Sequence, residues 1–395
     1  MIPGSVGPVV ALAAALVALT ALPYLCFGLL YAAVRPAGSP AEKRVPEELP
    51  SVSIVLPTYN EERIVERKLE DLFALDYPLD RVEVVVVDSS DDRTPELIED
   101  YFETDADADG GPRLSLIREE GRRGLAPALN DAYAAAENEV VVKTDCDSFL
   151  AEDALREAVA NLADPQVAAV TGRNAEVLGG SEVEAGYRGV QAHVQALESH
   201  LDSTFIFHGP FSAFENDAVV PVDPNSLADD TELALRIRRT RGFDGGRVVY
   251  DPVVRYREAS HSAFGKRRTQ KDRRGMGLIR LLVQHRDALF SHGRYGSVVL
   301  PFNWWFMLLS PWSVALSAVA VSTAAVSAAG VVGVAVPVAL LGYAYLGQRD
   351  MLGPLGAPYA VLDTQVSLAR AAVDLLRGKG DGTWEVDAEL REAYE

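Results

Sequence analysis

The sequence predicts an α/β protein with a mostly parallel sheet, one N-terminal membrane-spanning helix and two C-terminal ones. Short apolar segments rich in valine alternate with helical segments between residues 51 and 145. Such alternation is typical of a parallel sheet covered by helices on both faces. Residues 1–34 and 295–348 contain no charged side chain. Because a membrane span needs about 20 apolar residues, these blocks have room for one and two spans.

The predicted strands and helices follow one another regularly in the first half of the chain. Strands are predicted at Val52–Leu56, Val82–Val87, Leu114–Ile117 and Val140–Thr144. Helices are predicted between them, at Glu61–Leu75, Pro95–Phe102 and Ala126–Ala136. The second half is less regular, with a further strand at Val167–Val170 and a strand pair or extended segment at Arg247–Arg257. Helices are expected at Glu182–Leu201 and after Leu227–Glu232, which leads into a helix to about Thr240.

The distribution of charge divides the chain into six segments. These are an anchor at 1–34, a linker at 35–50, the α/β domain at 51–275, an amphipathic interfacial segment at 276–297, two spans at 298–348 and an amphipathic tail at 349–395. The two spans are expected at about Val298–Ser322 and Ala325–Leu346, with Gly330 and Gly333 near their turn. No role is predicted for Trp384 in the tail.

Two alternatives concern the apolar blocks. The first block could be a cleaved signal peptide, but it has no lysine or arginine before Arg35 and its apolar run is long. The second could be a pair of buried globular helices, which its length disfavours. Basic residues at 35–44 and 266–274 flank the predicted spans. They place the α/β domain on the cytoplasmic side of a multi-pass cell-membrane protein.

The overall charge restricts the partners. The chain has 57 acidic and 37 basic residues, a net charge of −20, and only six of the basic residues are lysine. An acidic, lysine-poor surface suits a halophile, and an ordinary acidic cytoplasmic protein is the alternative. No basic surface for nucleic acid is expected. Cys26 lies in the predicted anchor and Cys146 lies between Asp145 and Asp147, so the two are not expected to meet and no disulfide is predicted.

Polar side chains follow three of the predicted strands at the point where each strand ends. They are Thr58 to Glu61, Asp88 to Asp92, and the pair Asp145 and Asp147. Ligands of open α/β sheets bind beyond the carboxyl ends of the strands. Two carboxylates at such an end can hold a hard divalent cation through oxygen. The alternative is that these acids only terminate a strand.

Five short motifs occur in order between residues 57 and 274. They are Pro57-Thr58-Tyr59-Asn60-Glu61, Asp88-Ser89-Ser90-Asp91-Asp92, Asp145-Cys146-Asp147, Asp229-Asp230 and Gln270-Lys271-Asp272-Arg273-Arg274. This order resembles glycosyltransferase family 2, the membrane-anchored inverting enzymes with a Rossmann-like GT-A fold. The chain departs from the family pattern at Asp229, where the family has Glu, and at Arg274, where it has Trp.

The resemblance implies a metal-dependent transferase that moves a sugar from a nucleotide-diphosphate donor, expected to be UDP-linked. Mg²⁺ or Mn²⁺ would be held by Asp147 and by Asp145, which also lies near the ribose. Asp230 matches the catalytic base. The nucleotide would contact Asp88 and the turn that contains Pro57, Tyr59 and Glu61. The acceptor or the diphosphate would contact His208, Gly209, Asp229, Gln270 and Arg273.

Several of these assignments have structural alternatives. Asp229 or Asp230 could cap a helix, His208 could be structural, and the basic stretch at 266–274 could meet lipid head groups. The expected acceptor is lipid-linked or a growing glycan, and the expected partners also include membrane lipid, with oligomers left open. Besides a single-addition transferase, the resemblance fits a processive polysaccharide synthase and a catalytically silent nucleotide-sugar-binding scaffold.

Overall fold

The computed structural model describes residues 6–105, 110–178, 182–259 and 264–379. Within them, eight strands form one sheet in the order β3-β2-β1-β4-β7-β6-β8-β5. The strands are β1 (Val52–Thr58), β2 (Val82–Asp88), β3 (Arg113–Arg118), β4 (Val140–Lys143), β5 (Ser148–Leu150), β6 (Val167–Leu178), β7 (Ser212–Glu215) and β8 (Arg247–Ala259). Trp384 and the rest of the tail from residue 380 lie outside the described residues.

The sheet is mixed, so the prediction of a mostly parallel sheet is confirmed only in part: β6 and β8 also pair in parallel, but β5 and β7 run antiparallel to their neighbours. Strands β1 to β4 pair with one another in parallel, as predicted, with Thr58 beside Asp88 and Val55 beside Lys143. Strand β7 is antiparallel to both β4 and β6, and β5 is antiparallel to β8. Between β6 and β7 the chain forms the helix Glu182–Leu201 and then a tight turn at His208–Phe211, directly before β7.

Helices cover both faces of this sheet. They are α2 (Val65–Phe73), α3 (Thr94–Asp105), α4 (Leu125–Ala135), α5 (Ala154–Leu162), α6 (Glu182–Leu201) and α7 (Asp229–Arg241). Side chains alternate along β1, so Ile54 and Leu56 pack in the core on the α2 side. Val55 packs in the opposite core with residues of α4 and α7. The two buried cores hold the carboxyl ends of the parallel strands at one edge.

In the part of the chain that the structure describes, two helical segments are long and apolar enough to cross a membrane, α1 (Val6–Val34) and Tyr295–Gln348. The second contains α9 (Leu300–Trp304), α10 (Ser310–Ala329) and α11 (Ala335–Gln348). Helix α1 runs antiparallel to α10. This orientation follows from two side-chain hydrogen bonds, one between Thr20 and Ser317 and one between Tyr24 and Ser310. Helix α10 ends at Gly330, whose φ of 56° suits glycine. The break between α10 and α11 therefore lies at 330–334, later than the predicted 322–325 turn.

Helix α8 (Phe264–Gln284) runs without a break through the predicted boundary at 275/276. Residues 276–284 are thus the second half of this helix, and the interfacial position predicted for residues 276–297 stays a prediction. Helix α12 (Gly356–Leu376) packs alongside α8. Asp363 of α12 pairs with Arg268 and Lys271, and Arg370 pairs with Asp272 at 2.7 Å. These ion pairs join about one turn of α8 to about two turns of α12.

Buried polar contacts connect the α/β domain to the start of the second apolar segment. Arg238 of α7 forms two hydrogen bonds to Asp202, at 2.8 and 2.9 Å. The same carboxylate accepts a hydrogen bond from the backbone N–H of Tyr295 at 3.1 Å. Asn303 donates to the buried Glu198 at 2.7 Å. The helix that begins with Asp229 and Asp230 is therefore anchored to residue 295, where the apolar segment begins.

Candidate active site

A cavity of about 350 Å³ opens at the carboxyl ends of β1 and β4. Eleven of the twelve predicted site residues line it: Pro57, Tyr59, Glu61, Asp145, Asp147, His208, Gly209, Asp229, Asp230, Gln270 and Arg273. They come from five separate parts of the chain. The structure thus brings together side chains that the sequence places up to 216 positions apart, between Pro57 and Arg273.

Asp88 is the predicted residue that does not line this cavity. Its side chain is fully buried and accepts hydrogen bonds from Thr58 Oγ1 at 2.8 Å and Ser90 Oγ at 2.6 Å. Arg118 Nε lies 3.4 Å from the same carboxylate. In this structure Asp88 therefore ties the end of β1 to the turn after β2, and its predicted contact with a nucleotide stays a prediction.

Lys143 lies at the centre of the acidic end of the cavity. This side chain, the last of β4, is 1% exposed. Its Nζ lies 2.6 Å from Asp145 Oδ1 and 3.4 Å from Asp230 Oδ1. A single buried ammonium group therefore bridges the residue predicted to hold metal and ribose and the residue predicted to act as base.

The charges in this cluster shift one another's pKa. Burial lowers the pKa of Lys143, but the carboxylates of Asp145, Asp230 and Asp229 outweigh it and raise this pKa well above 10.5. Burial, together with the charge of Asp229, raises the pKa of Asp230 from 3.8 to about 7, while Lys143 opposes the rise. Lys143 is therefore charged at every ordinary pH. Asp230 exchanges its proton near neutrality, as a general base should.

Asp229 and Asp230 begin helix α7, but neither acts as its cap. The N-cap residue is Ala228, and no side chain makes a capping hydrogen bond at this end. Asp229 Oδ2 and Asp230 Oδ1 are buried without a hydrogen-bond partner. The helix N-terminus stabilises the two negative charges. The geometry does not support the capping alternative, and it leaves Asp230 facing the cavity.

Gly209 allows the opposite wall to approach the charged cluster. A Cβ at this position would lie 2.8 Å from Lys143 Nζ and 2.9 Å from both Asp145 Oδ2 and Asp230 Oδ2. The carbonyl of the next residue, Pro210, accepts a hydrogen bond from Thr144 at 2.9 Å, which fixes the turn against the end of β4. A side chain larger than hydrogen at 209 would push the cluster apart.

His208 lies beside this turn and is uncharged. Burial lowers its pKa from 6.5 to about 3, and the positive charges of Arg188 and Arg274 add to the effect. Its Nε2 lies 3.0 Å from Gln195 Oε1. An imidazole with this pKa is a neutral hydrogen-bonding group at pH 7 and is unsuited to carry a proton.

The wall opposite the cluster is formed by the turn after β1 and by α8. The Arg122 guanidinium lies 4.0 Å from the centre of the Tyr59 ring, a cation–π contact that leaves a flat surface at the cavity wall. Gln270 and Arg273 reach the cavity from α8. Burial lowers the pKa of Arg273, and Asp229 opposes the shift. Arg273 is therefore near the acids of α7.

The cavity has oxygen ligands suited to a divalent ion. Asp145 and Asp147 are two residues apart after β4, and both line it. Carboxylate oxygens suit Mg²⁺ and Mn²⁺. Among the described residues, no three histidine, cysteine, aspartate or glutamate side chains form a complete metal site. These two residues fit a metal whose remaining ligands come from elsewhere, such as the oxygens of a bound diphosphate.

Lys143 is the residue of this site that the sequence motifs missed. A signal was present, because Lys143 is the one charged residue in the predicted strand Val140–Thr144. A buried lysine needs a counter-charge, and the next polar positions are Thr144 and Asp145. Arg188 and Glu258, which also line the cavity, belong to no motif and gave no such signal.

Comparison with known proteins agrees with this geometry. The sequence model of "Glycosyl transferase family 2" matches residues 53–231. A beta-monoglucosyldiacylglycerol synthase from Synechocystis is 28% identical over 52% of this chain and 43% of its own length. A hyaluronan synthase from Streptococcus pyogenes is 26% identical over 52% of this chain and 51% of its own length. The chain thus spans about half the length of these curated relatives.

A solved structure extends the similarity over almost the whole chain. A mannosyltransferase from Pyrobaculum calidifontis, in complex with GDP-Man and Mn²⁺, superposes with a TM-score of 0.76 and 29% identity. The match covers 94% of this chain and 99% of that one. A match of this extent reaches well beyond the α/β domain predicted at residues 51–275. The sequence match and the shared fold therefore support residues 53–231 as a glycosyltransferase domain of family 2.

Proposed function

We propose that this protein is a membrane-bound inverting glycosyltransferase that moves a sugar from a nucleotide-diphosphate donor to a lipid-linked or growing glycan acceptor. One observation carries the proposal. Asp145, Asp147 and Asp230 line one cavity, and Phe306 and Met307 of the apolar segment Tyr295–Gln348 line it as well. The acids suit the donor and the base, and the apolar residues suit an acceptor that is held at a membrane.

The reaction is a single displacement at the anomeric carbon. An acceptor hydroxyl oxygen attacks this carbon from the face opposite the diphosphate and forms the new C–O bond. The bond from the carbon to the diphosphate oxygen breaks, and its electron pair leaves with the diphosphate. Asp230 accepts the hydroxyl proton, and its pKa of about 7 suits that transfer. The proposed stereochemistry is therefore inversion.

The other residues bind and orient the donor. Tyr59 and Pro57 form a surface for the base, and Asp145 lies near the ribose. Asp145 and Asp147 would hold Mg²⁺ or Mn²⁺, which supplies a Lewis acid that neutralises the leaving diphosphate. Arg273 and Gln270 lie on α8, within reach of the same cavity. An arginine there can form charge-assisted hydrogen bonds to phosphate oxygens.

The proposed location is the cell membrane, with the α/β domain in the cytoplasm. The antiparallel contact between α1 and α10 supports part of this topology. It puts the end of α1 and the start of α10 on the same side of a bilayer. The basic residues next to these ends favour the cytoplasm.

A donor screen with an Asp230→Asn variant tests the proposal. Purified protein with Mn²⁺ is incubated with UDP- and GDP-sugars, and the released nucleotide diphosphate is measured. We expect one donor to be consumed and Asp230→Asn to lower kcat by about 10²–10⁴-fold. Its dissociation constant for the donor should stay within about twofold, since Asp230 acts on the acceptor. The control is Asp217→Asn, which changes a carboxylate that is 81% exposed.

If no donor is turned over, the proposed enzymatic function is wrong, and a nucleotide-sugar-binding scaffold is the alternative that remains. Loss of donor binding in Asp230→Asn would contradict the base assignment alone. The processive alternative is supported by the hyaluronan synthase match. Product length separates the two activities, since a single-addition enzyme extends a defined acceptor by one sugar and a processive enzyme makes a ladder of long products.

A further inference from the structure

The two acids that are proposed to hold the metal lie in one short turn. Strand β4 ends at Lys143 and β5 begins at Ser148, and both Asp145 and Asp147 lie between them. The backbone N–H of Ser148 donates to the carbonyl of Asp145 at 3.3 Å, which closes the turn. The relative position of the two carboxylates therefore depends on how the ends of this turn are held.

Both ends of the turn are buried and are joined by their hydroxyl groups. Thr144 and Ser148 are each 0% exposed, and their hydroxyl oxygens lie 3.1 Å apart. The Thr144 hydroxyl donates to the carbonyl of Pro210 at 2.9 Å. A hydroxyl that donates its one hydrogen in this way still has lone pairs that accept hydrogen bonds. A buried donor from another part of the chain can therefore hold this end of the turn.

Lys68 of α2 supplies that donor. Its side chain is 0% exposed. Its Nζ donates to Thr144 Oγ1 at 3.1 Å and to the carbonyl of Ser148. The third acceptor is Asp71 Oδ2, at 3.3 Å. An ammonium group has three hydrogens to donate, so two of the three hydrogen bonds of Lys68 go to the two ends of the turn.

Asp71 extends the same clamp to the strand that follows the turn. Both of its oxygens accept from the backbone N–H of Leu150 in β5, at 3.2 and 3.0 Å. Asp71 also forms an ion pair with Lys68, three residues before it on α2. The charges of the two side chains offset each other, so the pair adds no net charge beside the metal ligands. What the pair contributes is the position of the chain between residues 144 and 150.

Lysine is an unexpected residue at this place on α2. The other buried residues of the helix are Val65, Leu69 and Leu72, which pack in the core. An ammonium group is costly to bury unless its charge and its hydrogens are matched. Apolar residues in place of a buried ion pair usually avoid that cost. The hydrogen bonds to the turn are what Lys68 supplies and an apolar residue cannot.

We propose that Lys68 is a positioning residue, which fixes the relative position of Asp145 and Asp147 and so sets the affinity for the divalent ion. The inference rests on the proposed metal-dependent transfer. Lys68 is not among the described residues that line the cavity, so it acts through the turn and not on a ligand. Groups that orient metal ligands from outside typically change metal affinity by about 10–100-fold when they are removed. Lys143 supplies charge to these acids, whereas Lys68 supplies geometry.

Manganese binding to the full-length protein tests this role without any turnover. The protein is kept in neutral detergent and saturated with whichever of UDP and GDP it binds. Free Mn²⁺ is then measured by electron paramagnetic resonance during a titration. Lys68→Met keeps the length of the side chain and removes its three hydrogen bonds, so we expect Mn²⁺ to bind about 10–100-fold more weakly. An affinity within about twofold of wild type would overturn the proposal.

Thr144→Val tests the same contact from its other side, with less disturbance. Valine has the shape of threonine without the hydroxyl, and Lys68 keeps Ser148 and Asp71 as acceptors. We expect Mn²⁺ to bind about threefold more weakly or worse, and wild-type affinity here would contradict the proposal even if Lys68→Met does not fold. The loss in the double variant should be smaller than the product of the two single losses, because both remove one contact. A loss equal to the full product means that Lys68 does not act through Thr144, and the proposal is then wrong.

Lys43→Met is the matched control. Lys43 also pairs with a fully buried carboxylate, that of Asp251 at 2.6 Å, and it does not line the cavity. Its Mn²⁺ affinity should equal that of the wild type. An equal loss in this variant would attribute the effect to general destabilisation and refute the positioning role.

The outcomes separate this role from the proposed function. Wild-type protein that binds no Mn²⁺ contradicts the proposed metal dependence, and this inference with it. Wild-type protein that binds Mn²⁺ as tightly as Lys68→Met contradicts the positioning role alone. A donor screen without turnover contradicts the transferase function and leaves the Mn²⁺ titrations readable, since they measure binding.

Discussion

Replacing Lys143 by methionine removes one charge from the middle of the candidate active site. Methionine has a similar length and no ammonium group, so the change leaves the packing of β4 nearly intact. Lys143 is 1% exposed, whereas Asp145 is 30% exposed and Asp230 16% exposed. The variant leaves two neighbouring carboxylates, and Asp229 beside them, without their cation. We expect a loss of stability that depends on pH and on metal.

The size of the loss follows from the burial of the partners. Breaking a buried ion pair costs about 3–5 kcal/mol, and the partial exposure of Asp145 reduces this to roughly 2–3 kcal/mol. For a domain of this size that corresponds to a melting temperature lower by roughly 5–10 °C. The direction with pH follows from Asp230, whose pKa in the folded protein exceeds its ordinary 3.8. Stability from such a group falls as the pH rises from about 4 through the folded-state pKa.

Loss of Lys143 raises the pKa of Asp230 further, because Lys143 lowers it in the wild type. The stability difference between wild type and variant is therefore expected to be larger at pH 8 than at pH 6. Thermal unfolding in neutral detergent, with EDTA or with Mn²⁺ and a nucleotide diphosphate, measures it. A divalent ion beside Asp145 restores part of the lost positive charge, so Mn²⁺ should narrow the difference at pH 8.

Lys68→Met is the matched control. Lys68 is also fully buried next to β4, but it pairs with Asp71 and does not line the cavity. This variant should lose stability without any recovery in Mn²⁺. The reasoning is refuted if Lys143→Met melts with the wild type at pH 8. It is equally refuted if Mn²⁺ has the same effect on both variants.

Three further predictions concern neighbouring groups. Gly209→Ala places a Cβ within 3 Å of Lys143 and Asp145. We expect kcat to fall by about 10²-fold and the circular dichroism spectrum to stay unchanged. Undiminished turnover would contradict the close packing at Gly209. Burial raises the pKa of Glu198 from 4.5 to about 7. The free energy of unfolding should therefore fall by about 3 kcal/mol as the pH rises from 4.5 to 7. If thermal melts of Glu198→Gln show the same fall in stability as the wild type, another group causes it. Asp202→Asn leaves Arg238 buried without a counter-charge and should cost about 3 kcal/mol in the same melts, with Asp217→Asn as the exposed control.

The parallel half of the fold could be predicted from the sequence, because each of its strands is an apolar run followed by a polar turn. Helix α6 was predicted with its observed ends, Glu182 and Leu201. The strands on the other side of β4, where parallel and antiparallel pairs are mixed, were harder to predict. Strand β7 is four residues long, Ser212–Glu215, and strand β5 has three. Segments this short have no periodicity of their own, and tertiary pairing with β4, β6 and β8 decides their structure.

The residues of the candidate site were predicted better than their contacts. The motifs named the acids of the cavity, since carboxylates at strand ends are visible as a local pattern. Arg188 and Glu258 pair with each other across 70 positions of sequence, and no local pattern reports such a pair. Lys143 is different, because its partner Asp145 is only two positions away. The unbroken helix α8 was missed because its first half is basic and its second half apolar. This change of composition suggested a boundary where the backbone has none.

The contact of Asp202 with both Arg238 and the N–H of Tyr295 has a mechanical consequence. Under the proposed topology, it joins the helix that presents the base to the point where the chain enters the bilayer. A bilayer that is too thin or too thick tilts the spanning helices, and this carboxylate transmits the tilt to the orientation of Asp230. We therefore expect the hydrophobic thickness of the host membrane to change the rate constant of the proposed transfer.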